Sequence, residues 1–388
     1  MKIRAHVGII GAGPAGARAA ERLAALGADV IVFDRRVPWE KPCGGGITAS
    51  AFDNVPDLAG IVTRAQRIDA VRLETATTML IVPLERPIYV LSRADLAKWQ
   101  LDRAVAAGAV LERRNVRAIK RMPRSWQLDL DNGDQAFVAL LVGADGAASR
   151  VRSAVAPNLD IELEPTRVAY VPGEGTTPEQ LGLRFFPHVQ GYAWDFPRPE
   201  HRSIGVGIAA GTWSRPRMDD EVDRYCTDLG AHGHARFERS GAVIATAQRR
   251  LGRRYTHLGG DDYALLGDAA GFADPATGEG IQNAFRSADF LAEAFERDRL
   301  FARYPAIARR RLEPEFAIAR FVRRVLYSRN IANDLVDLAP RHAGAYALVS
   351  AIINGGNEHD PLRIARVLSD WRRLRRAHCP MTALVHDG

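Results

Sequence analysis

The chain opens on an apolar run, His6-Val7-Gly8-Ile9-Ile10, with no alternation. That is the pattern of a short strand buried on both faces. The run breaks at Gly11-Ala12-Gly13-Pro14-Ala15-Gly16, and apolar positions then recur at helical spacing until Gly27 stops them. A second buried strand, Val30-Ile31-Val32-Phe33, ends at Asp34. Two later apolar runs also end in an acid: residues 140–144 at Asp145, and residues 263–267 at Asp268. The second leads through Pro275 to Gly280 into a predicted helix over 281–295. Elsewhere apolar and polar residues alternate, as in 70–74, 126–130 and 192–208, with Asn132-Gly133 marking a tight hairpin. Residues 297–377 carry a helical pattern.

The expected architecture is α/β. A Rossmann-type nucleotide-binding domain draws on residues 1–55, 90–160 and 255–300. An antiparallel-sheet substrate domain draws on 56–89 and 161–254, and a helical region covers 301–388.

The first βαβ unit has the chemistry of a dinucleotide site. Gly11 permits the tight turn, Gly13 lets backbone approach a pyrophosphate, and Gly16 lets helix and strand pack closely. The helix N-terminus presents unpaired N–H groups to phosphate oxygens. Asp34, 18 residues beyond Gly16, stands where a ribose hydroxyl is accepted. Asp268 is expected to hold the polyol of a flavin. The helix after Gly280 is expected to face the flavin's pyrimidine edge with its positive dipole end. Each acid alone also reads as a strand-end cap.

Two further patterns bear on function. In Lys41-Pro42-Cys43-Gly44-Gly45-Gly46 the consecutive glycines suit a loop pressed against a flat ligand. Cys43 by itself also reads as an inert small apolar residue. In Gly191-Tyr192-Ala193-Trp194-Asp195-Phe196-Pro197, period-two alternation places Tyr192, Trp194 and Phe196 on one strand face. Gly205 and Gly207 share a face of the next strand. Ordinary core packing explains such a stripe, and so does a groove for a long apolar ligand.

The glycine fingerprint, Gly143-Ala144-Asp145-Gly146 and the run from Gly267 to Gly280 together resemble the FAD-binding signature of p-hydroxybenzoate-hydroxylase-like flavoproteins. With the Cys43 loop and the aromatic strand added, the chain is similar to the geranylgeranyl reductase family. The resemblance spans about residues 5–295 and implies FAD as cofactor. It implies cofactor contacts at Gly11, Gly13, Ala15, Gly16, Asp34, Arg35, Cys43, Gly44 and Gly45. The same resemblance extends the set to Arg93, Asp145, Asp268, Gly278, Gly280 and Ile281. It implies a prenyl tunnel lined by Tyr192, Trp194, Phe196, Gly205 and Gly207. The reaction expected is saturation of an isoprenoid double bond by hydride from reduced FAD. Cys43, Tyr192 and Trp194 are the candidate catalytic residues. The alternative is an FAD monooxygenase or halogenase acting on an apolar small molecule, and a third reading is a non-catalytic electron carrier.

At 388 residues, 47% apolar and 26% charged, the chain can bury large cores, and it is not a disordered chain. No apolar stretch is long enough to span a membrane. The early apolar run ends in the glycine fingerprint and is not read as a signal peptide. Three widely spaced cysteines argue against a disulfide framework and for a reducing, cytoplasmic setting. The net charge of +7 comes almost wholly from arginine, since lysine occurs four times. Residues 297–329 hold ten arginines against three acids, a solvated face or a contact with the inner, anionic face of a membrane. No basic–aromatic run marks a nucleic-acid module. His232-Gly233-His234 is read as a loop, so no metal site is expected. No second dinucleotide fingerprint exists, so NAD(P)H or a reduced carrier is the expected external electron donor.

Overall fold

The computed structural model describes residues 2–354, apart from 160, 174, 176, 232–238, 247–256, 328 and 329, together with Ser369 and Arg373. The His232/His234 pair, Cys379 and most of residues 363–376, a further run of six arginines against one acid, lie outside the described residues.

The nucleotide-binding half is a seven-stranded sheet. Its strand order is Val110–Glu112, Val30–Phe33, Lys2–Ile10, Gln135–Gly143, Ser125–Leu130 and Val116–Met122, and Tyr263–Leu265 pairs with Gln135–Gly143. The strands around Lys2–Ile10 run parallel, with Val7 opposite Val30 and Leu140. Parallel strands need covered faces, which is why they read as unbroken apolar runs. Helices Pro14–Ala25 and Ile281–Asp298 pack against each other beside this sheet. Leu23, Leu291 and Phe295 join Val7, Ile9 and Val142 in its core. The expected hairpin closes at Gly133, whose φ of +86° explains the glycine.

The second sheet has eight strands in the order Arg239–Thr246, Glu162–Pro172, His201–Ile208, Gly191–Pro197, Gln180–Phe185, Gln66–Glu74, Met79–Val90 and Gly46–Ile47. It differs from the expected antiparallel sheet at one joint, where Gln180–Phe185 and Gln66–Glu74 run parallel. The chain reaches this joint by a long excursion rather than a hairpin, which permits either direction. Residues 56–64, expected in the sheet domain, form a helical turn segment instead, and Gly46–Ile47, expected in the nucleotide-binding half, pairs with Val90 and Tyr89 in this second sheet.

One face of the second sheet is covered by helix Arg215–Asp228, with Val222, Tyr225 and Cys226 against Ile204 and Val206. Burial pushes the Cys226 thiol up to about 12, so it stays protonated there. Beside this helix Asp195 accepts from Arg202 Nε at 2.9 Å and from Arg72 Nη2 at 3.1 Å, and Arg72 also bonds Glu74. These buried charges are mutually paired, as burial demands. On the opposite face Val71, Leu73 and Leu181 form a cluster with Ile331, Leu335 and Leu348 from C-terminal helices Ile331–Leu338 and Ala343–Asn354. The gap between that face, the C-terminal helices and the nucleotide-binding half is where the site forms. Among the described residues, no helix is long and apolar enough to cross a membrane.

Candidate active site

A single continuous cavity of about 1170 Å³ runs between the two sheets. That exceeds what one small ligand ordinarily occupies. One end lies over the glycine fingerprint. Gly11 holds φ +94°, and a Cβ there would strike the Ala144 carbonyl. Gly16 packs on the Gly11 carbonyl and does not face the cavity. A Cβ on Gly13 would meet no protein atom within 4 Å. The space above Gly13 is therefore open, at a helix N-terminus with no side-chain cap, which suits a phosphate.

Asp34 lines this end and is partly engaged, accepting from Ala12 N at 2.9 Å and Arg36 N at 2.8 Å. Arg35 does not reach the cavity: its side chain is exposed and faces Asp131, while Arg36 lines the cavity instead. The turn after the strand sets this exchange, since consecutive residues there point in different directions. Asp145 lines the cavity, but both its oxygens cap helix Arg150–Val155, through Ser149 Oγ at 2.5 Å and Arg150 N at 2.7 Å. Burial pushes its carboxyl up against those bonds. Asp268 is paired with Lys41 Nζ at 2.9 Å.

The middle of the cavity is where the two sequence patterns meet. Cys43 faces the cavity, and its sulfur accepts from Gly45 N at 3.4 Å. Arg93 begins helix Arg93–Ala106, with Ser92 as N-cap. Burial works against its charge, but Cys43, Asp268 and Glu40 hold the guanidinium protonated. Arg93 Nε is buried with no partner, and such an orphan donor points to an acceptor that belongs in the cavity. Gly278, Gly280 and Ile281 close the far side at the start of helix Ile281–Asp298. Burial lifts neighbouring Glu279 to about 7. The open Gly13 surface, the orphan Arg93 donor and the size of the cavity all fit FAD.

The glycine loop is not bare. The Phe196 ring covers Gly44 and Gly46, so that a Cβ on Gly44 would meet it at 2.6 Å. Tyr192, Trp194 and Phe196 all line the cavity, whereas Gly205 and Gly207 do not. The Trp194 indole lies over those two glycines, with its ring 2.3 Å from a Cβ on Gly205. The glycine strip is a seat for this indole rather than a groove for a ligand. Trp194 Nε1 donates to Ser203 Oγ, and Ser203 Oγ donates to the Cys43 carbonyl. Tyr192 donates to the Thr277 carbonyl at 2.6 Å.

Sequence reasoning missed Arg198. It follows Pro197 directly and is almost wholly buried. It donates to the carbonyls of Cys43 and Gly44 and pairs with Glu40 at 2.6 Å. Its place immediately after the aromatic strand is the one signal that could have found it. The channel walls from Leu181, Leu183, Phe185, Val322, Leu326 and Ile352 were also missed.

The FAD binding domain model matches residues 4–313. A digeranylgeranylglycerophospholipid reductase of Methanopyrus kandleri is 30% identical over 333 residues, covering 79% of this chain and 86% of that protein. The chain belongs to the geranylgeranyl reductase family of FAD-dependent oxidoreductases. A geranylgeranyl diphosphate reductase of Rhodobacter capsulatus is 28% identical, over 74% of this chain and 73% of that one. Among solved structures, a geranylgeranyl bacteriochlorophyll reductase-like protein of Thermoplasma acidophilum shares the fold. Its TM-score is 0.73 at 19% identity, over 95% of this chain and 100% of that one. As a geranylgeranyl reductase family member the chain is an FAD-dependent enzyme, and the part of the cavity lined by Gly13, Asp34, Arg93 and Asp268 fits that cofactor.

Proposed function

We propose that this enzyme saturates carbon–carbon double bonds of an isoprenoid chain. The observation that carries the reading is the continuity of the cavity. Past Cys43 and Arg93 it becomes an apolar channel between Leu181, Leu183 and Phe185 on the sheet and Val322, Leu326 and Ile352 on the helices. Leu84, Arg86 and Asn354 also line it. A chain-like apolar ligand fits this shape, and a small polar substrate does not. The named activities of the relatives from M. kandleri and R. capsulatus support the same substrate class.

Bound and reduced, FAD supplies the hydride equivalent. The protein's task is alignment, exclusion of water and provision of a proton. Phe196 and Trp194 form the floor on which an alkene lies, and the Trp194 π face stabilises positive charge developing on carbon. Cys43 and Tyr192 carry protons into the cavity. Arg93 holds an anionic edge of the cofactor. Electrons reach the site from an external donor, either NAD(P)H or a reduced carrier. Phe321, 48% exposed beside Arg324 on the outer face of helix Tyr304–Tyr327, supports peripheral contact with the inner, anionic face of a membrane.

The deciding experiment is mass spectrometry of geranylgeranyl diphosphate incubated with the dithionite-reduced protein under nitrogen. Gain of two hydrogens per bond is the expected result. Product that forms only with oxygen, carrying oxygen or halogen, would replace this reading with a monooxygenase or halogenase.

A further inference from the structure

Next to Tyr192 lies a second, small chamber of about 40 Å³, mostly apolar in its lining but with Glu164, Gln190, Thr277 and Arg323 as polar partners for one ordered water. It shares Tyr192, Trp194, Thr277 and Tyr327 with the large cavity, and its other walls include Glu164 and Arg323. Neither Glu164 nor Arg323 belongs to the cofactor cradle.

Glu164, on strand Glu162–Pro172, is bonded to Arg323 and accepts from Thr246 Oγ1 at 3.3 Å. Arg323 also faces Glu162 at 3.9 Å and donates to the Pro275 carbonyl. Two carboxyl groups therefore share one guanidinium. The groups facing Glu164 are Arg323 and Tyr327 from helix Tyr304–Tyr327, Thr246 from the adjacent strand, Tyr192 from the strand beyond His201–Ile208, and Glu162 from its own. A second negative charge at a buried guanidinium is poorly compensated, and holding one proton between the two carboxyls relieves it. Burial pushes the Glu164 carboxyl up against the pull of Arg323, and Glu162 adds to the push. The Glu162 side chain is 30% exposed and that of Glu164 is 14% exposed. The pair thus leads from solvent to the chamber.

We propose that Glu162 and Glu164 are a proton relay that refills Tyr192 through the chamber. This rests on the prenyl-reduction reading. For each bond reduced, the π bond breaks and two C–H bonds form. The hydride equivalent comes from reduced flavin, and the proton comes from the Tyr192 hydroxyl as it leaves the Thr277 carbonyl. The phenolate regains a proton from Glu164 through the chamber water. Glu164 is restored by Glu162, and Glu162 by solvent. An external reductant, dithionite in the test, restores the flavin's electrons.

The relay acts between turnovers, and this separates it from a structural role. In the FAD-loaded protein with geranylgeranyl diphosphate, Glu164→Gln should leave saturation of the first bond in a single turnover unchanged. Its steady-state rate should fall at least tenfold. The wild-type steady-state rate should decline as pH rises through the titration of the carboxyl pair, and the variant should lose that decline. Glu162→Gln, at the partly exposed end, should show the same split if Glu164→Gln folds poorly. Independently of turnover, infrared spectra without substrate should show a protonated carboxyl at neutral pH that Glu164→Gln removes. Should wild type yield no saturated product, the prenyl reading falls, while the infrared titration still decides whether the pair holds a proton. A fully ionised pair at neutral pH, or a Glu164→Gln variant with full steady-state rate, overturns the relay.

Discussion

The Arg198 guanidinium donates to the Cys43 carbonyl at 2.6 Å, so the residue that follows the aromatic strand holds the glycine loop that lines the cavity. The same side chain bonds the Gly44 carbonyl and Glu40 and lies over the Tyr170 ring. Arg198→Met should remove the charged partner of Glu40 and the guanidinium donor of two carbonyls, leaving Glu40 with Ser92 and the Cys43 carbonyl with Ser203. A loss of about 3–5 kcal/mol is expected, measured by denaturant unfolding. Arg198→Lys keeps the charge but not the fork, and should fold with reduced FAD occupancy, read from the flavin absorbance of the purified protein.

Gly13 separates cofactor binding from folding. Because a Cβ there meets no protein atom, Gly13→Ala should leave the melting temperature of the cofactor-free protein within about 1 °C of wild type. The methyl would occupy the phosphate's space, so FAD affinity should fall at least about tenfold, some 1.4 kcal/mol. Fluorescence titration with FAD checks this. A large drop in apoprotein stability would mean that the space belongs to the protein.

Glu40 gives the acid limb of stability. Burial opposes its charge, but Arg198 and Ser92 hold its carboxyl below the usual range. A group whose folded pKa is lowered stabilises fully above its unfolded value of about 4.3. That contribution is lost as pH falls through the folded value. Glu40→Gln should therefore be less stable than wild type at pH 7, by about 1–3 kcal/mol. The gap should close as the solution is taken below pH 4, followed by unfolding curves at a series of pH values.

Leu183 tests the channel. It lines the cavity on the sheet side, beyond Trp194 from the glycine loop. Leu183→Trp should narrow the channel without touching the cofactor end. FAD binding should be unchanged, while geranylgeranyl diphosphate should lose at least tenfold in kcat/KM relative to geranyl diphosphate. Equal loss for both chains would show that the ligand runs elsewhere.

The nucleotide-binding half was legible because its signals are local. Glycine spacing, a helix start and a strand-end acid fall within residues 6–34. The strand alternation likewise placed Tyr192, Trp194 and Phe196 on one face. What lies over Gly205 was not legible: period two gives a face, but only the folded strand pair shows that Trp194 fills it. Asp145 illustrates another limit, because a carboxylate that caps a helix and one that binds a cofactor have the same sequence signature. The Arg198–Glu40 pair spans 158 positions, and contact at that range leaves no mark in spacing or periodicity. Arg35 and Arg36 differ by one position at the end of a strand, where the turn decides which reaches the cavity.

Phe196 rests on Gly44 and Gly46, so under the proposed function one aromatic ring would belong at once to the floor beneath the prenyl chain and to the wall beside the cofactor. Occupants of the two compartments therefore cannot be indifferent to each other. Whatever stiffens the ring from one side alters the affinity felt from the other, and by linkage the effect is equal in both directions.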